Sequence, residues 1–123
     1  MVKPKSADSE LIKKIIFGIE DVKGADVNIM DLTNITNTVC GYFIVCTGTS
    51  NTHVAAIVSS IRKHVSKELK EKPFSVEGNE NQEWVLIDYV NVVVHVFQRE
   101  IREYYDIENL WGDAKITNVE LNA

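Results

Sequence analysis

The chain has 123 residues, of which 45% are hydrophobic and 25% charged, and its formal net charge is −5. This length suits one domain with a single core, and the composition excludes an intrinsically disordered chain. A negative net charge gives no support for broad nucleic-acid binding, which calls for a basic stripe. The sequence has no apolar run long enough for a signal peptide or a bilayer-spanning helix, so we expect a cytoplasmic protein without membrane contact.

The charge is unevenly distributed along the chain. Residues 77–123 contain ten carboxylates and three basic side chains, a formal −7. Residues 1–76 contain eight carboxylates and ten basic side chains, a formal +2. An acidic C-terminal part of this kind suits contact with a basic partner.

The first half of the chain alternates helical and extended patterns. Residues 1–7 are polar and predict a flexible lead. Asp8 or Ser9 can cap a first helix, which ends at Lys23-Gly24 because glycine tolerates the left-handed conformation. A strand, a polar loop and a central strand covered on both faces are then predicted at residues 26–31, 33–38 and 42–46. Cys40 and Cys46 flank the central strand too far apart to pair, so we expect two free thiols in a reducing compartment.

The second half begins with a turn at Gly48-Thr49-Ser50, followed by a long amphipathic helix that ends before Pro73. Three strands are predicted at residues 74–76, 84–88 and 92–97. A last helix runs from Glu100 to Leu110 and is closed by Gly112, with a loose tail at 115–123. The order predicts an α/β domain over residues 8–114, with a mixed five-stranded sheet flanked by helices.

Several motifs occur together in a fixed order. They are Cys46–Val54 (CTGTSNTHV), Glu77-Gly78, Trp84–Asp88, Val92–Phe97 and Tyr104–Ala114 (YYDIENLWGDA). On these motifs the chain resembles the ribosomal silencing factor family, RsfS or Iojap, from about Asp8 to Ala114. The resemblance implies a nucleotidyltransferase-like fold without transferase activity. It also implies binding to the large ribosomal subunit through its protein fourteen, which blocks joining of the small subunit and represses translation.

The chain departs from the family pattern at two positions. Val90 stands where the turn between the last two strands usually has glycine, and Ile107 stands where leucine is common. Isoleucine in place of leucine at position 107 is a conservative change. Valine at position 90 replaces glycine, the residue type that the turn geometry favours.

The turn Gly48-Thr49-Ser50 leaves a strand and opens a helix, where free backbone N–H groups favour an anion. It can be a phosphate or nucleotide site, or Ser50 or Thr49 can simply cap the helix. One glycine is far short of a phosphate-binding fingerprint. A transferase would also need two alternating carboxylates on the next strand to hold divalent metal, and Phe74-Ser75-Val76 has none. We therefore predict no catalytic residue and no cofactor.

The three histidines do not predict a metal site. His53 and His64 are separated by about 16 Å of helical rise, and His95 lies among valines, as expected for a hydrogen-bonded structural histidine. A Ser50–His53–Asp88 triad has no supporting motif.

The C-terminal aromatic and acidic residues predict a docking surface. Aromatic anchors within a polar rim are typical of protein interfaces. The predicted contact residues are Trp84, Asp88, Phe97, Arg99, Tyr104, Tyr105, Asp106, Glu108 and Trp111. Arg99 and Arg102 can pair with Glu103 or Asp106 at helical spacing, or contact neighbouring ribosomal RNA.

The sequence therefore favours a non-enzymatic translation repressor whose partner is large-subunit protein fourteen. Two alternatives stay open. The first is a nucleotide-binding or nucleotidyltransferase enzyme that uses the Gly48-Thr49-Ser50 turn. The second is a homodimeric interaction module, whose exposed apolar surface would pair two copies.

Overall fold

The computed structural model describes residues 5–35, 38 and 40–120, with side chains from residue 8 onward. The helices are α1 Lys5–Asp21, α2 Asn51–Leu69, α3 Arg99–Tyr105 and α4 Ile107–Leu110. The strands are β1 Ala25–Asp31, β2 Tyr42–Gly48, β3 Ser75–Glu77, β4 Trp84–Asp88, β5 Val92–Gln98 and β6 Lys115–Asn118.

The strands form one mixed sheet in the order β3-β4-β5-β2-β1-β6. The central strands β2 and β5 are parallel, and every other neighbouring pair is antiparallel. Both central strands are almost entirely buried, which confirms the prediction from the apolar run at residues 42–46.

Each face of the sheet has its own hydrophobic core. On one face, α1 and α2 pack over residues that include Ile44, Val94 and Val96. On the other face, the core around Phe43, Phe97 and α4 is smaller. The alternation of side chains along each strand sends successive residues to opposite faces, which is why β5 contributes to both.

The two long helices approach each other closely at Gly18. A Cβ atom at this position would lie 2.9 Å from the Cα of Ile61, which leaves room only for glycine. The buried Ser60 hydroxyl donates a hydrogen bond to the Gly18 carbonyl over 2.7 Å. This crossing fixes the helical layer against the sheet.

The α/β class is confirmed, but the predicted strand count is wrong because the sheet has six strands. Lys115–Asn118 was expected in a loose tail and instead pairs antiparallel with β1. All four residues are exposed, so no apolar alternation marks the strand in the sequence.

The predicted chain ends also change. The helix expected from Asp8 or Ser9 already includes Lys5, so Asp8 lies in its first turn and does not cap it. Residues 1–4 of the predicted lead, and Thr36 and Asn37 of the predicted polar loop, lie outside the described residues.

Two helix ends differ from the prediction. After α1, the residue with the left-handed backbone is Lys23, with φ 61°, and not Gly24. Near the C-terminus, the predicted helix 100–110 breaks at Asp106, whose φ of 48° ends α3 and precedes α4. Aspartate tolerates this conformation better than most residues, which allows the break.

Both cysteines are free and buried, as expected. Burial raises the pKa of Cys40 to about 11 and that of Cys46 to about 12, so neither thiol is reactive near neutral pH. Within the described residues, no helix combines the length and apolarity needed to cross a membrane.

Candidate docking surface

The sheet face opposite α1 and α2 carries a cluster of aromatic rings. We call it the aromatic face and define it by Phe43, Trp84, His95, Phe97, Tyr105 and Trp111. Four of these rings come from adjacent strands of the sheet, and Tyr105 and Trp111 come from the segment that crosses it. Because β4 pairs with β5, the side chains of Trp84 and Phe97 lie directly opposite each other.

The rings contact one another in a continuous series. Trp84 stacks on Phe97 with 4.8 Å between ring centroids, and Tyr105 lies against Trp84 at the same distance. Phe43 meets His95 edge to face at 4.5 Å and Trp111 at 5.6 Å. Aromatic pairs in this range stabilise each other beyond their burial, so the cluster forms a rigid platform.

The predicted aromatic contacts differ widely in exposure. Tyr104 is 81% exposed and Tyr105 is 50% exposed, whereas Trp84 and Trp111 are half-buried. Phe97 is fully buried because Trp84 stacks over it, so its side chain is not exposed to a partner in this conformation. The buried ring of Phe97 is the surface on which the Trp84 indole packs.

Leu110 adds to this surface although it was not among the predicted contacts. It is 77% exposed, in the short helix α4. Phe74 and Val90, which are also exposed, lie at the other end of β4, around a depression that Asp88 helps to line. A second depression lies beside Trp84 and Tyr105. Phe74 and Val90 are single apolar residues in loops and carry no periodic signal, so the sequence did not single them out.

Exposed large hydrophobic side chains concentrate on this side of the molecule. There are seven among the described residues, and one of them, Phe17, belongs to the helical layer. The others lie at the ends or on the aromatic side of the sheet: Phe74, Val90, Tyr104, Tyr105, Leu110 and Ile116. An uneven distribution of this kind marks an interaction surface.

The arginines pair internally, but not with the predicted carboxylates. Arg99 forms an exposed ion pair with Asp26 over 3.0 Å, and Arg102 forms one with Glu108 over 2.5 Å. Arg99 and Glu103 keep helical spacing within α3, yet Arg99 pairs with Asp26 across the segment. Arg102 and Asp106 lie on either side of the end of α3, and Arg102 pairs with Glu108 of α4 instead.

Arg102 and Glu108 tie the C-terminal segment to the sheet. The Arg102 guanidinium also donates to the Asp26 carbonyl at 2.6 Å and to the Thr47 hydroxyl at 2.8 Å. Partial burial raises the pKa of Glu108, but hydrogen bonds from Arg102 and Asn28 outweigh this and leave the pKa below its ordinary value. Glu108 is therefore occupied by structural bonds, whereas Glu103, Asp106 and Asp113 are exposed around the aromatic residues.

Asp88 has a local structural role at the end of β4. Its carboxylate accepts a hydrogen bond from the Val90 N–H over 2.7 Å, within the turn to β5. The side chain remains partly exposed and can also meet a partner.

His95 is buried among the rings. Its Nδ1 accepts a hydrogen bond from the indole N–H of Trp84 over 3.1 Å, which confirms the predicted hydrogen-bonded structural histidine. Burial lowers the pKa of His95 to about 4, so the ring is neutral at pH 7.

The turn at residues 48–50 is a helix cap, as the plainer interpretation predicted. The Ser50 hydroxyl accepts from the His53 N–H over 3.1 Å, and His53 Nδ1 accepts from the Thr49 N–H over 2.9 Å. These bonds engage two of the backbone donors that an anion would use.

The catalytic constellations considered above are not assembled. Asp88 pairs with Val93 near the start of β5, whereas Gly48, just before Ser50, pairs with Gln98 at its end. Five residues of strand separate these positions by about 16 Å, so Ser50, His53 and Asp88 cannot form a triad. In the part of the chain that the structure describes, no three His, Cys, Asp or Glu side chains are grouped to hold a metal ion.

An exposed aromatic surface with a polar rim is typical of proteins that dock on a partner. The family model described as "Ribosomal silencing factor during starvation" (RsfS) matches residues 4–123. The chain belongs to this family, as the ordered motifs predicted.

Two bacterial relatives match this chain along most of their length. The chain is 42% identical to the ribosomal silencing factor RsfS of Chromobacterium violaceum over 86% of this chain and 85% of the relative. It is 35% identical to the ribosomal silencing factor RsfS of Halalkalibacterium halodurans, over 93% of this chain and 96% of the relative. The names describe regulatory factors and indicate no catalytic activity.

Solved structures share the fold. A crystal structure from Chromobacterium violaceum has a TM-score of 0.79 at 39% identity and covers 91% of this chain and 92% of its own. One from Bacillus halodurans has a TM-score of 0.75 at 34% identity and covers 92% and 99%.

Proposed function

We propose that this protein binds the large ribosomal subunit through its protein fourteen, blocks joining of the small subunit and so represses translation in the cytoplasm. The observation that carries the proposal is the concentration of exposed apolar side chains on one side of the molecule, beside exposed carboxylates. Ribosomal proteins are rich in lysine and arginine, so the acidic surroundings suit such a partner.

The proposed mechanism is steric exclusion. Such a mechanism needs a rigid body and sufficient affinity but no reactive group. The direct contacts in this proposal are Trp84, Tyr104, Tyr105, Asp106 and Trp111, with Asp88 and Arg99 at the edge. Phe97 packs against Trp84, and Glu108 pairs with Arg102, so both support the contact residues without touching the partner. Contact between Arg99 and neighbouring ribosomal RNA belongs to the same proposal.

Co-sedimentation with isolated large subunits tests the binding step. We expect the wild-type protein to pellet with large subunits and Trp84→Ala to do so at least ten-fold less tightly, as for a central aromatic anchor. Phe17→Ala is the matched control, because Phe17 is an exposed aromatic residue of the helical layer. Equal loss in both variants would contradict a specific role for the aromatic face.

Homodimer formation is a second candidate, favoured by the same exposed apolar surface. Two copies could cover each other through the aromatic face and separate when the ribosomal partner binds. Size-exclusion chromatography with light scattering measures this. A dimer that persists in saturating partner would show that the two contacts use different surfaces.

The enzyme alternative is a nucleotidyltransferase, in keeping with the nucleotidyltransferase-like fold that the resemblance implies. It would place a nucleotide at the turn of residues 48–50, beside Ser50 and His53. Calorimetric titration with nucleotide and magnesium separates it from the repressor. Heat above background with product formation would favour the enzyme, and background heat would leave it without a substrate.

A further inference from the structure

The hydrogen bond between Trp84 and His95 fixes the tautomer of the histidine. An indole nitrogen can only donate, so the Nδ1 atom that accepts its hydrogen over 3.1 Å carries no proton. The neutral ring therefore carries its hydrogen on Nε2. Leu86 lies opposite His95 in the register of β4 and β5, and Trp84 is the next residue of β4 on the same face.

The other nitrogen of the ring has no partner. His95 is 5% exposed, and its Nε2 is buried without a hydrogen bond among the described residues. Leaving a buried donor unsatisfied is unfavourable, and an aliphatic residue of similar size would avoid this cost. The histidine at this position is therefore not explained by the stability of the core.

Within the described part of the chain, the one polar contact of the ring goes to Trp84 of the aromatic face. Stacking on Phe97 and contact with Tyr105 hold the plane of the Trp84 indole but do not decide which edge points inward. The hydrogen bond to His95 decides which edge points inward, because it turns the indole N–H toward the sheet. The opposite edge of the indole is left for a partner.

We propose that His95 is a positioning residue that holds the Trp84 indole in its docking orientation. This inference rests on the proposed function, since it assigns the residue that prepares the same surface. A side chain held in place before binding loses less conformational entropy on binding. Removing the bond is expected to weaken binding by roughly three- to ten-fold without any lost contact to the partner.

The test compares two substitutions of the same residue. His95→Leu removes the acceptor and keeps an apolar side chain, whereas His95→Asn keeps an oxygen acceptor close to the position of Nδ1. The chain has two tryptophans, so Trp111→Phe assigns the two indole N–H resonances in the NMR spectrum. All affinities are measured with isolated large subunits and variants of the full chain.

With His95→Leu we expect the Trp84 indole resonance to move upfield and exchange faster with solvent, and affinity to fall three- to ten-fold. With His95→Asn, both effects should be partly reversed. An indole that does not move, or one that moves while affinity stays unchanged, would overturn the positioning role. Failure of the wild-type protein to bind large subunits would instead overturn the proposed function, whatever the indole resonance shows.

A double-mutant cycle keeps the proposal testable if His95→Leu does not fold. Trp84→Phe removes the donor, and His95→Val, which removes the acceptor with a smaller apolar side chain, is made alone and in that background. If His95 acts through Trp84, His95→Val lowers affinity in the wild-type background and has no further effect in the Trp84→Phe background. Equal losses of affinity from His95→Val in both backgrounds would contradict the proposal.

Discussion

Val90 is a point of backbone strain in the turn from β4 to β5. Its φ is +78°, and the Asn91 N–H donates to the Tyr89 carbonyl over 3.1 Å, which makes Val90 the centre of a three-residue turn. This conformation is rare and is least favourable for a β-branched residue. The Asp88 carboxylate supports the turn by accepting the Val90 N–H. Glycine, which has no Cβ atom, would adopt the same turn freely.

We predict that Val90→Gly stabilises the protein by about 1 kcal/mol. Relief of backbone strain of about 1–3 kcal/mol outweighs the added freedom of glycine in the unfolded chain, about 0.4–1 kcal/mol. Urea unfolding of the free protein measures the difference. Val90→Ala is the control because it keeps the Cβ atom, so it should gain much less. Equal stability of the two variants would show that the turn is not strained.

His95 predicts a pH dependence of stability. The unfolded chain takes up a proton on this residue near pH 6.5, whereas burial lowers the pKa in the fold to about 4. The unfolded state therefore binds more protons, and stability is lost as pH falls from about 6.5 toward 4. The expected loss from this residue is about 3 kcal/mol.

Urea unfolding of wild type and His95→Leu between pH 7 and pH 4 measures this effect. The pKa of Glu108 is lowered in the fold, so protonation of Glu108 in acid destabilises both proteins. The difference between the two pH profiles therefore gives the contribution of His95 alone. Parallel profiles would contradict a neutral buried His95.

At the scale of elements, the segment α3–Asp106–α4 is held to the sheet by the ring contact of Tyr105, the buried Ile107 side chain and the bonds of Arg102. Neither helix is long enough to be stable alone, and α3 has no buried residue. The side chain of Arg102 joins this segment to β1 and β2 through the Asp26 carbonyl and the Thr47 hydroxyl. The same guanidinium also reaches Glu108 within the segment. Arg102 is therefore one of the groups that fix the position of Tyr104 and Tyr105.

We predict that Arg102→Met lowers the free energy of unfolding by about 2–3 kcal/mol. The substitution keeps an apolar stem but leaves a partly buried Glu108 without its cation. Arg99→Met is the matched control, because the Arg99–Asp26 pair is more than half exposed and should contribute less than about 1 kcal/mol. Hydrogen exchange of the α3 and α4 amides should rise in Arg102→Met alone. Similar effects of the two substitutions would contradict the account.

The sequence predicted elements best where burial leaves a clear apolar pattern. Burial of one face gives α2 an apolar stripe with helical period, and burial of both faces gives β2 a continuous apolar run. β6 was missed because its pairing with β1 joins residues about 90 positions apart and buries none of its side chains. The break at Asp106 was missed because no glycine or proline marks it. The sequence predicts an aromatic and acidic site but does not predict which of its residues are exposed. Phe97 and Trp84 are both aromatic strand residues, yet Phe97 is fully buried and Trp84 is only half-buried.

At the scale of the whole molecule, exposed basic side chains of α2 lie on the opposite side from exposed carboxylates around α3 and α4. The helical layer carries exposed basic residues of α2, including Arg62, Lys63 and Lys67. Exposed carboxylates around α3 and α4 include Glu103 and Asp106. An arrangement of this kind orients the protein as it approaches a basic partner and increases the association rate at low salt.

We predict that Asp106→Lys weakens binding to the large subunit, and does so less at high salt because ions screen exposed charges. Glu10→Lys changes net charge equally on the exposed surface of α1 and should have little effect. Asp106→Asn tolerates the left-handed backbone and removes the charge alone, so it should give an intermediate loss. Association rates from stopped-flow mixing at two salt concentrations measure these effects. A loss that does not depend on salt would show that the backbone, and not the charge, is responsible.

The central claim is that the bound protein excludes the small subunit from the large one. Sucrose-gradient sedimentation of mixed subunits at saturating protein tests it directly. The account predicts fewer joined particles, protein in the large-subunit fraction, and normal joining with Trp84→Ala. Normal joining in the presence of wild-type protein that is demonstrably bound to the large subunit would contradict it.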